Sequence, residues 1–340
     1  MVPLVFRIGA RQGRHSLQIP HVRRTHATTS DSAPNSTNSS TDHNGPLNRS
    51  GDVQHSLETA TRHCQDLVRT SDYQGYLASL FFPQRVRPAV WALRALNVEL
   101  ASIRDTVTNE TLGKMKFLYW KQALEQITKK TQSAQHPIAV LLAAAISSLG
   151  LNPIWLNRLV AEREKNLAHA TYYSLDEVEQ YAENTASALL YLQLECLGVK
   201  DVKADHLASH LGKAVGIATF LRATPANAKK RLVYLPQDIL AKHKVSQESL
   251  FRGGRIEGLD DAVFEIATRA HDHILTAQSH IENAQLPYTT ALLSTLPSIH
   301  YLRALEKANF DVFDPRLRHN NWRMPYYMWQ ANRKQQLFQN

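Results

Sequence analysis

Leu57-Glu58-Thr59-Ala60-Thr61-Arg62-His63-Cys64-Gln65-Asp66-Leu67-Val68 is the stretch on which the fold turns. Its apolar residues Leu57, Ala60, Cys64, Leu67 and Val68 recur at three- and four-residue steps, which puts them on one face of a helix. The same spacing returns around Leu159, at Ala188, Leu189 and Leu192, and at Ile299, Leu302 and Leu305. Pro83, Pro137, Pro153, Pro225, Pro236, Pro287 and Pro297 fall between periodic segments, and Ser174 before Asp176 and Glu177 reads as a helix N-cap. Arg231-Leu-Val-Tyr-Leu235 is the one short strand candidate. The pattern predicts one all-α domain of about ten helices.

Composition narrows the function classes. Gly is 13 of 340 residues and Pro 14, which disfavours collagen-like and turn-rich all-β chains. Cys64 and Cys196 are the two cysteines, so a disulfide framework and a CxxC metal site are excluded and a reducing compartment is expected. A net charge of +9 suits an anionic membrane surface or a phosphorylated ligand, and no nucleic-acid-binding motif accompanies it. Ile138 to Ile146 is the best apolar run, too short to cross a bilayer.

Residues 1–26 hold five Arg and no acid, with apolar residues interspersed, and read as a mitochondrial transit peptide; a basic tail and plastid import are the alternatives. Residues 27–56 are rich in Ser, Thr, Asn and Asp and read as a disordered linker. The helical domain is expected over 57–318, followed by an aromatic-rich tail over 319–340.

Four ordered segments carry a resemblance. They are Tyr76-Leu-Ala-Ser-Leu-Phe-Phe-Pro83 with Arg87 and Ala92-Leu-Arg-Ala-Leu-Asn-Val-Glu99; Met115 to Trp120 with Leu124; Tyr181-Ala-Glu-Asn-Thr-Ala186; and Leu211-Gly212 through Leu221-Arg222 to Arg231-Leu-Val-Tyr-Leu-Pro236. Together with Tyr301-Leu-Arg-Ala-Leu-Glu306 and Phe310-Asp-Val-Phe313, the chain resembles the squalene/phytoene synthase family. The resemblance implies an all-α isoprenoid-synthase-like domain around a central cavity. In that family two Asp-rich motifs hold Mg²⁺, which holds the substrate diphosphates.

The chain departs from the family where that chemistry lies. The first motif falls on Ala101-Ser102-Ile103-Arg104-Asp105, of which Asp105 alone is a carboxylate. The second falls on Ala223-Thr-Pro-Ala226-Asn227, which has none, and Pro225 is expected to end the helix there. A further family aspartate falls on Asn166, and the family's substrate segment falls on Gln74-Gly75-Tyr76. Glu99 and Asp105 lie six residues apart, about 240° round a helix, so they do not share a face. The expectation is a synthase fold with a dismantled metal site: no catalytic residue, no metal and no cofactor.

Asn97-Val-Glu-Leu-Ala101, Glu162-Arg-Glu-Lys-Asn-Leu167, Tyr181-Ala-Glu-Asn-Thr185, His206-Leu-Ala-Ser-His-Leu-Gly-Lys213 and Leu221-Arg-Ala-Thr-Pro225 are similar to a mitochondrial branch of that family. That resemblance implies a factor for building respiratory complex I, on the matrix side of the inner membrane. Its partners would be complex I subunits or assembly intermediates, the membrane periphery, and a lipid or isoprenoid ligand. Tyr76, Glu99, Arg222, Lys229, Lys230, Arg231 and Tyr234 are the candidate ligand or anion contacts. Two alternatives stay open. One is a prenyltransferase whose Mg²⁺ is held by Glu99, Asp105, Glu162 or Glu183; the other is a peripheral lipid-binding protein.

Some features have plainer readings. His206 and His210 at i, i+4 have zinc-binding spacing but no evident third ligand, and His271-Asp-His273 reads as solvated. Trp91, Trp120 and Trp155 read as core. Trp322, Tyr326, Tyr327 and Trp329 suit a membrane or partner surface as well as a segment folded back on the domain.

Overall fold

The computed structural model describes residues 49–131, 135–168, 171–254, 256–281, 288–319 and 321–338. Among them are fifteen α-helices and no strand. The first eight are α1 (Arg49–Ser71), α2 (Tyr73–Ser79), α3 (Arg87–Thr106), α4 (Glu110–Lys129), α5 (Pro137–Leu149), α6 (Pro153–Ala168), α7 (Leu175–Ala182) and α8 (Ala188–Cys196). The rest are α9 (Val202–Lys229), α10 (Gln237–Lys242), α11 (Gln247–Arg252), α12 (Leu259–Ser279), α13 (Thr289–Leu292), α14 (Leu296–Lys307) and α15 (Met324–Lys334). The excess over the expected number consists of short helices, which periodicity does not reveal. The expected leader, most of the expected linker, and Pro287 lie outside the described residues. Helix α1 starts at Arg49, inside the stretch read as linker.

The opening motif folds as its spacing demands. Ala60, Cys64 and Val68 are buried, with Leu57 and Leu67 packed beside them, and α1 lies on α3 and α5. Side-chain caps start several helices. Asp72 accepts from the Gly75 amide, Asn109 from Leu112, Ser174 from Glu177 and Asp201 from Lys203. Each satisfies an amide that the first turn leaves without an intrahelical partner, worth about 1 kcal/mol.

Helix α9 is the central strut, packed on α7, α8, α12 and α14. Its glycines allow the closest approach. A Cβ on Gly212 would lie 2.5 Å from the Ser187 backbone, and one on Gly216 would overlap the Cβ of Ala182. The segment it meets there, Glu183–Ser187, is a π-helical turn joining α7 to α8.

Pro225 does not end α9, contrary to expectation; the helix runs on to Lys229. Ala223, Thr224, Asn227 and Ala228 around it are buried, and the Thr224 hydroxyl donates to the Phe220 carbonyl at 2.9 Å. Packing of this turn outweighs the lost amide. The helix stops at Arg231, which has φ +55°; the Leu232 amide reaches Asn227 O and the Arg231 amide reaches Ala228 O. This is a Schellman ending, with Arg where Gly is usual. The strand candidate 231–235 is irregular: Val233, Tyr234 and Leu235 are all buried, without the alternation of a half-buried strand. Trp91 and Trp120 are core residues, and Trp155 is half-buried with its indole N–H donated to Glu195 at 3.1 Å.

Candidate functional site

The two segments matched to the Asp-rich motifs lie on α3 and in the last turns of α9, and their ends meet. Lys230 Nζ lies 2.8 Å from Asp105 Oδ1, an ion pair between residues 125 positions apart. One residue earlier, Arg104 donates from Nη1 to the Asn166 carbonyl at 3.2 Å, and its guanidinium lies 5.5 Å from the centre of the Tyr234 ring. The carboxylate expected to survive is thus engaged by Lys230, itself one of the candidate anion contacts.

Aromatic side chains pack behind this pair. Tyr172, Tyr181, Phe220 and Tyr234 form a cluster with ring centres 5.2–6.4 Å apart. Buried Arg163 donates to the Tyr181 hydroxyl at 2.8 Å and to Asn97 Oδ1 at 2.9 Å. The Asn166 amide donates to the Tyr172 hydroxyl at 2.7 Å. Burial raises the pKa of Tyr181 to about 12 and that of Tyr234 upward, so both phenols are neutral donors or acceptors. The cavity against Ala101, Arg104, Arg163 and Asn166 is about 10 Å³, room for about one water.

The donor set here does not fit a Mg²⁺ ion, which wants several hard oxygen ligands. Asp105 is taken by Lys230; Ala223 and Asn227 are buried, Ala226 is half-buried, and none of the three is a carboxylate. Ser102 donates to the Glu99 carbonyl. The other carboxylates considered are committed elsewhere: Glu162 accepts from Asn184, and Glu183 from Tyr191 and Ser209. Glu99 lies near enough to Tyr119 and His136 for its charge to act on both.

The remaining anion-contact candidates do not converge. Arg222 lies some two turns before Lys230 on α9 and turns toward Gln74, 3.4 Å away, with Asp72 and Tyr301 nearby. Burial lowers its pKa from the usual guanidinium value. Half-buried Tyr76 stacks on Tyr73 and meets Gln65 on α1. Arg231 pairs with Glu248 at 3.0 Å and covers the Phe251 ring, while Lys229 is exposed.

Two constellations escaped sequence reasoning. Arg94, read as part of a motif, is buried with Nη1 2.6 Å from Asp72 and Nη2 3.0 Å from Gln193. The second joins the flagged pair His206 and His210 of α9 to His273 of α12 and to His280 just beyond its end, a meeting the sequence did not show. His210 and His273 approach Nδ1 to Nδ1 at 2.9 Å, His206 stacks on His280 at 4.5 Å, and His273 Nε2 lies 3.3 Å from Glu179. His273 is buried, not solvated as expected, because α12 packs this side on α9; His271 is exposed. Among the described residues no group of three His, Cys, Asp or Glu is arranged to hold a metal ion. Burial, then neighbouring His273 and His206, lowers the His210 pKa to about 4.

A domain that is helical throughout its described regular elements, with the segments matched to the two synthase motifs meeting at the ends of α3 and α9, defines a class: a helical prenyl-synthase scaffold. The squalene/phytoene synthase family profile matches residues 68–323, and the chain belongs to that family. A squalene synthase structure from Alicyclobacillus acidocaldarius shares the fold, with TM-score 0.66 at 16% identity over 76% of this chain and 98% of that one. Among curated relatives, the human NADH dehydrogenase (ubiquinone) complex I, assembly factor 6, is 43% identical over 78% of this chain and 80% of its own. The Drosophila melanogaster homolog of that factor is 36% identical over 73% of this chain and 76% of its own.

Proposed function

We propose that this protein is a non-catalytic mitochondrial factor for assembly of respiratory complex I, peripheral to the matrix side of the inner membrane. The observation that carries the reading is the 43% identity, across 78% of the chain, to a relative named for that role. The site geometry supports its non-catalytic part. The segments matched to the Asp-rich motifs, joined by Lys230 and Asp105 and backed by packed aromatic rings, do not offer the several carboxylates by which Mg²⁺ would hold a diphosphate. The partners are complex I subunits or assembly intermediates. The test is expression in human cells lacking their own assembly factor 6, followed by native gels and NADH:ubiquinone activity. Restored complex I is the expected result; a correctly imported, folded protein that restores none refutes the reading.

A further inference from the structure

Helix α15 has two working faces. Met324, Met328 and Ala331 are buried against the domain, and Thr290 donates to Asn332 at 2.6 Å. His300 stacks on Tyr327 at 4.5 Å, which fixes one flank. On the far side, Tyr326, Trp329 and Arg333 fall within about 60° of arc. They point to solvent with Trp322 in the preceding turn: Trp322 is 81% exposed, Tyr326 56% and Trp329 46%. The helix is therefore a rigidly held segment that presents aromatic rings outward.

The rings are interleaved with cations. The Arg323 guanidinium lies 5.1 Å from the Trp322 ring centre and that of Arg333 5.2 Å from Trp329, while Tyr326 and Trp329 stack at 6.0 Å. Residues 315–340 contain Arg316, Arg318, Arg323, Arg333 and Lys334 and no Asp or Glu. Arg316 pairs with Asp314; among the described residues Arg323, Arg333 and Lys334 have no carboxylate partner.

We propose that this outer face of α15, with the turn before it, is the surface by which the protein docks on an anionic phospholipid membrane. Indole and phenol rings with polar tips favour the headgroup region, and unpaired cations beside them favour a negatively charged leaflet. The face is the convex side of a helix, which meets a soft continuous surface without needing a complementary groove. No helix among the described residues is long and apolar enough to cross a membrane. The inference rests on the peripheral-membrane part of the proposed function and names the face that carries it.

The test uses the full chain with phosphatidylcholine vesicles, with and without phosphatidylglycerol, by flotation. The variants are Trp322→Ala/Trp329→Ala and Arg323→Gln/Arg333→Gln/Lys334→Gln, with the exposed cations Arg69→Gln/Lys200→Gln/Lys203→Gln elsewhere on the domain as a charge control. Wild type is expected to float with the anionic vesicles. The tail charge variant loses on the order of a hundredfold in binding, the double Trp variant also binds more weakly, and the control binds as wild type. Iodide quenching of the wild-type tryptophans is expected to drop on binding, a readout that needs no variant to fold. Absence of binding, unchanged binding of the tail variants, loss in the control alone, or unprotected tryptophans in the bound protein would each overturn the proposal. So would self-association in sedimentation that the Trp322→Ala/Trp329→Ala variant abolishes, which would make a second copy the occupant. Failure of these arms with complex I rescue intact counts against this surface alone; failure of wild-type rescue counts against the functional reading.

Discussion

Replacing Asp105 by Asn separates a structural ion pair from a metal ligand. At 2.8 Å the attraction to Lys230 is about 1.5 kcal/mol in a water-like dielectric. The Lys230 side chain is 45% exposed, so solvent and the entropy of fixing the chain take back much of that. A coupling of about 0.5–1 kcal/mol remains. A double-mutant cycle of Asp105→Asn and Lys230→Gln, followed by urea unfolding, should return that coupling, and salt should shrink it. Complex I rescue should survive both substitutions. Titration of the full chain with a non-cleavable prenyl diphosphate should give no Mg²⁺-dependent heat. A folded Asp105→Asn protein that fails to rescue, or binding that requires Mg²⁺, would refute the reasoning and make Asp105 a working ligand.

Asp72→Ala strips the partner from buried Arg94 and the cap from α2, and should cost about 3–4 kcal/mol by urea unfolding. Asp72→Asn, which keeps the cap, should cost less. Gly212→Ala forces a Cβ into the Ser187 backbone and should lower stability by about 2–3 kcal/mol or more, read as a shift in unfolding midpoint. Lys130, at φ 54° beyond the end of α4, is exposed and has no ion pair among the described residues; Lys130→Gly should stabilise by up to about 1 kcal/mol, seen as a small rise in Tm. His210 takes a proton near 6.5 when unfolded but only near 4 when folded, so stability should be full above about pH 6.5 and fall as the pH drops toward 4. Melting curves of His210→Gln should be flatter across that window.

What sequence could reveal divides along a physical line. Leu57 to Val68 and the cap at Ser174 are local patterns, and local periodicity and capping are visible in a single chain. The end of α9 was hidden because Arg231 holds a conformation that a glycine would have announced. Pro225 misled for the opposite reason: its local rule is sound, but burial of the surrounding turn overrides it. The histidines show the same limit. The rule that i and i+2 face apart is obeyed by exposed His271 and buried His273, yet which of the two turns inward depends on where α12 packs.

The pairing of Lys230 with Asp105 was least legible, since nothing local ties residues 125 positions apart. The resemblance matched their segments to two motifs that hold the same ions, and the structure adds that Lys230 and Asp105 pair directly there. An ammonium on one helix and a carboxylate on the other brace the ends of α3 and α9, a mechanical task that metal-bridged carboxylates perform in another way. A lysine tether cannot polarise a leaving diphosphate as Mg²⁺ does, because its single charge is already opposed by Asp105. The bracing and the chemistry are therefore separable here. Lys230→Met should loosen the helix ends, read as faster amide exchange at 226–232, without creating any activity on prenyl diphosphates. Activity gained in that variant would show that the pair blocks a competent site instead of replacing one.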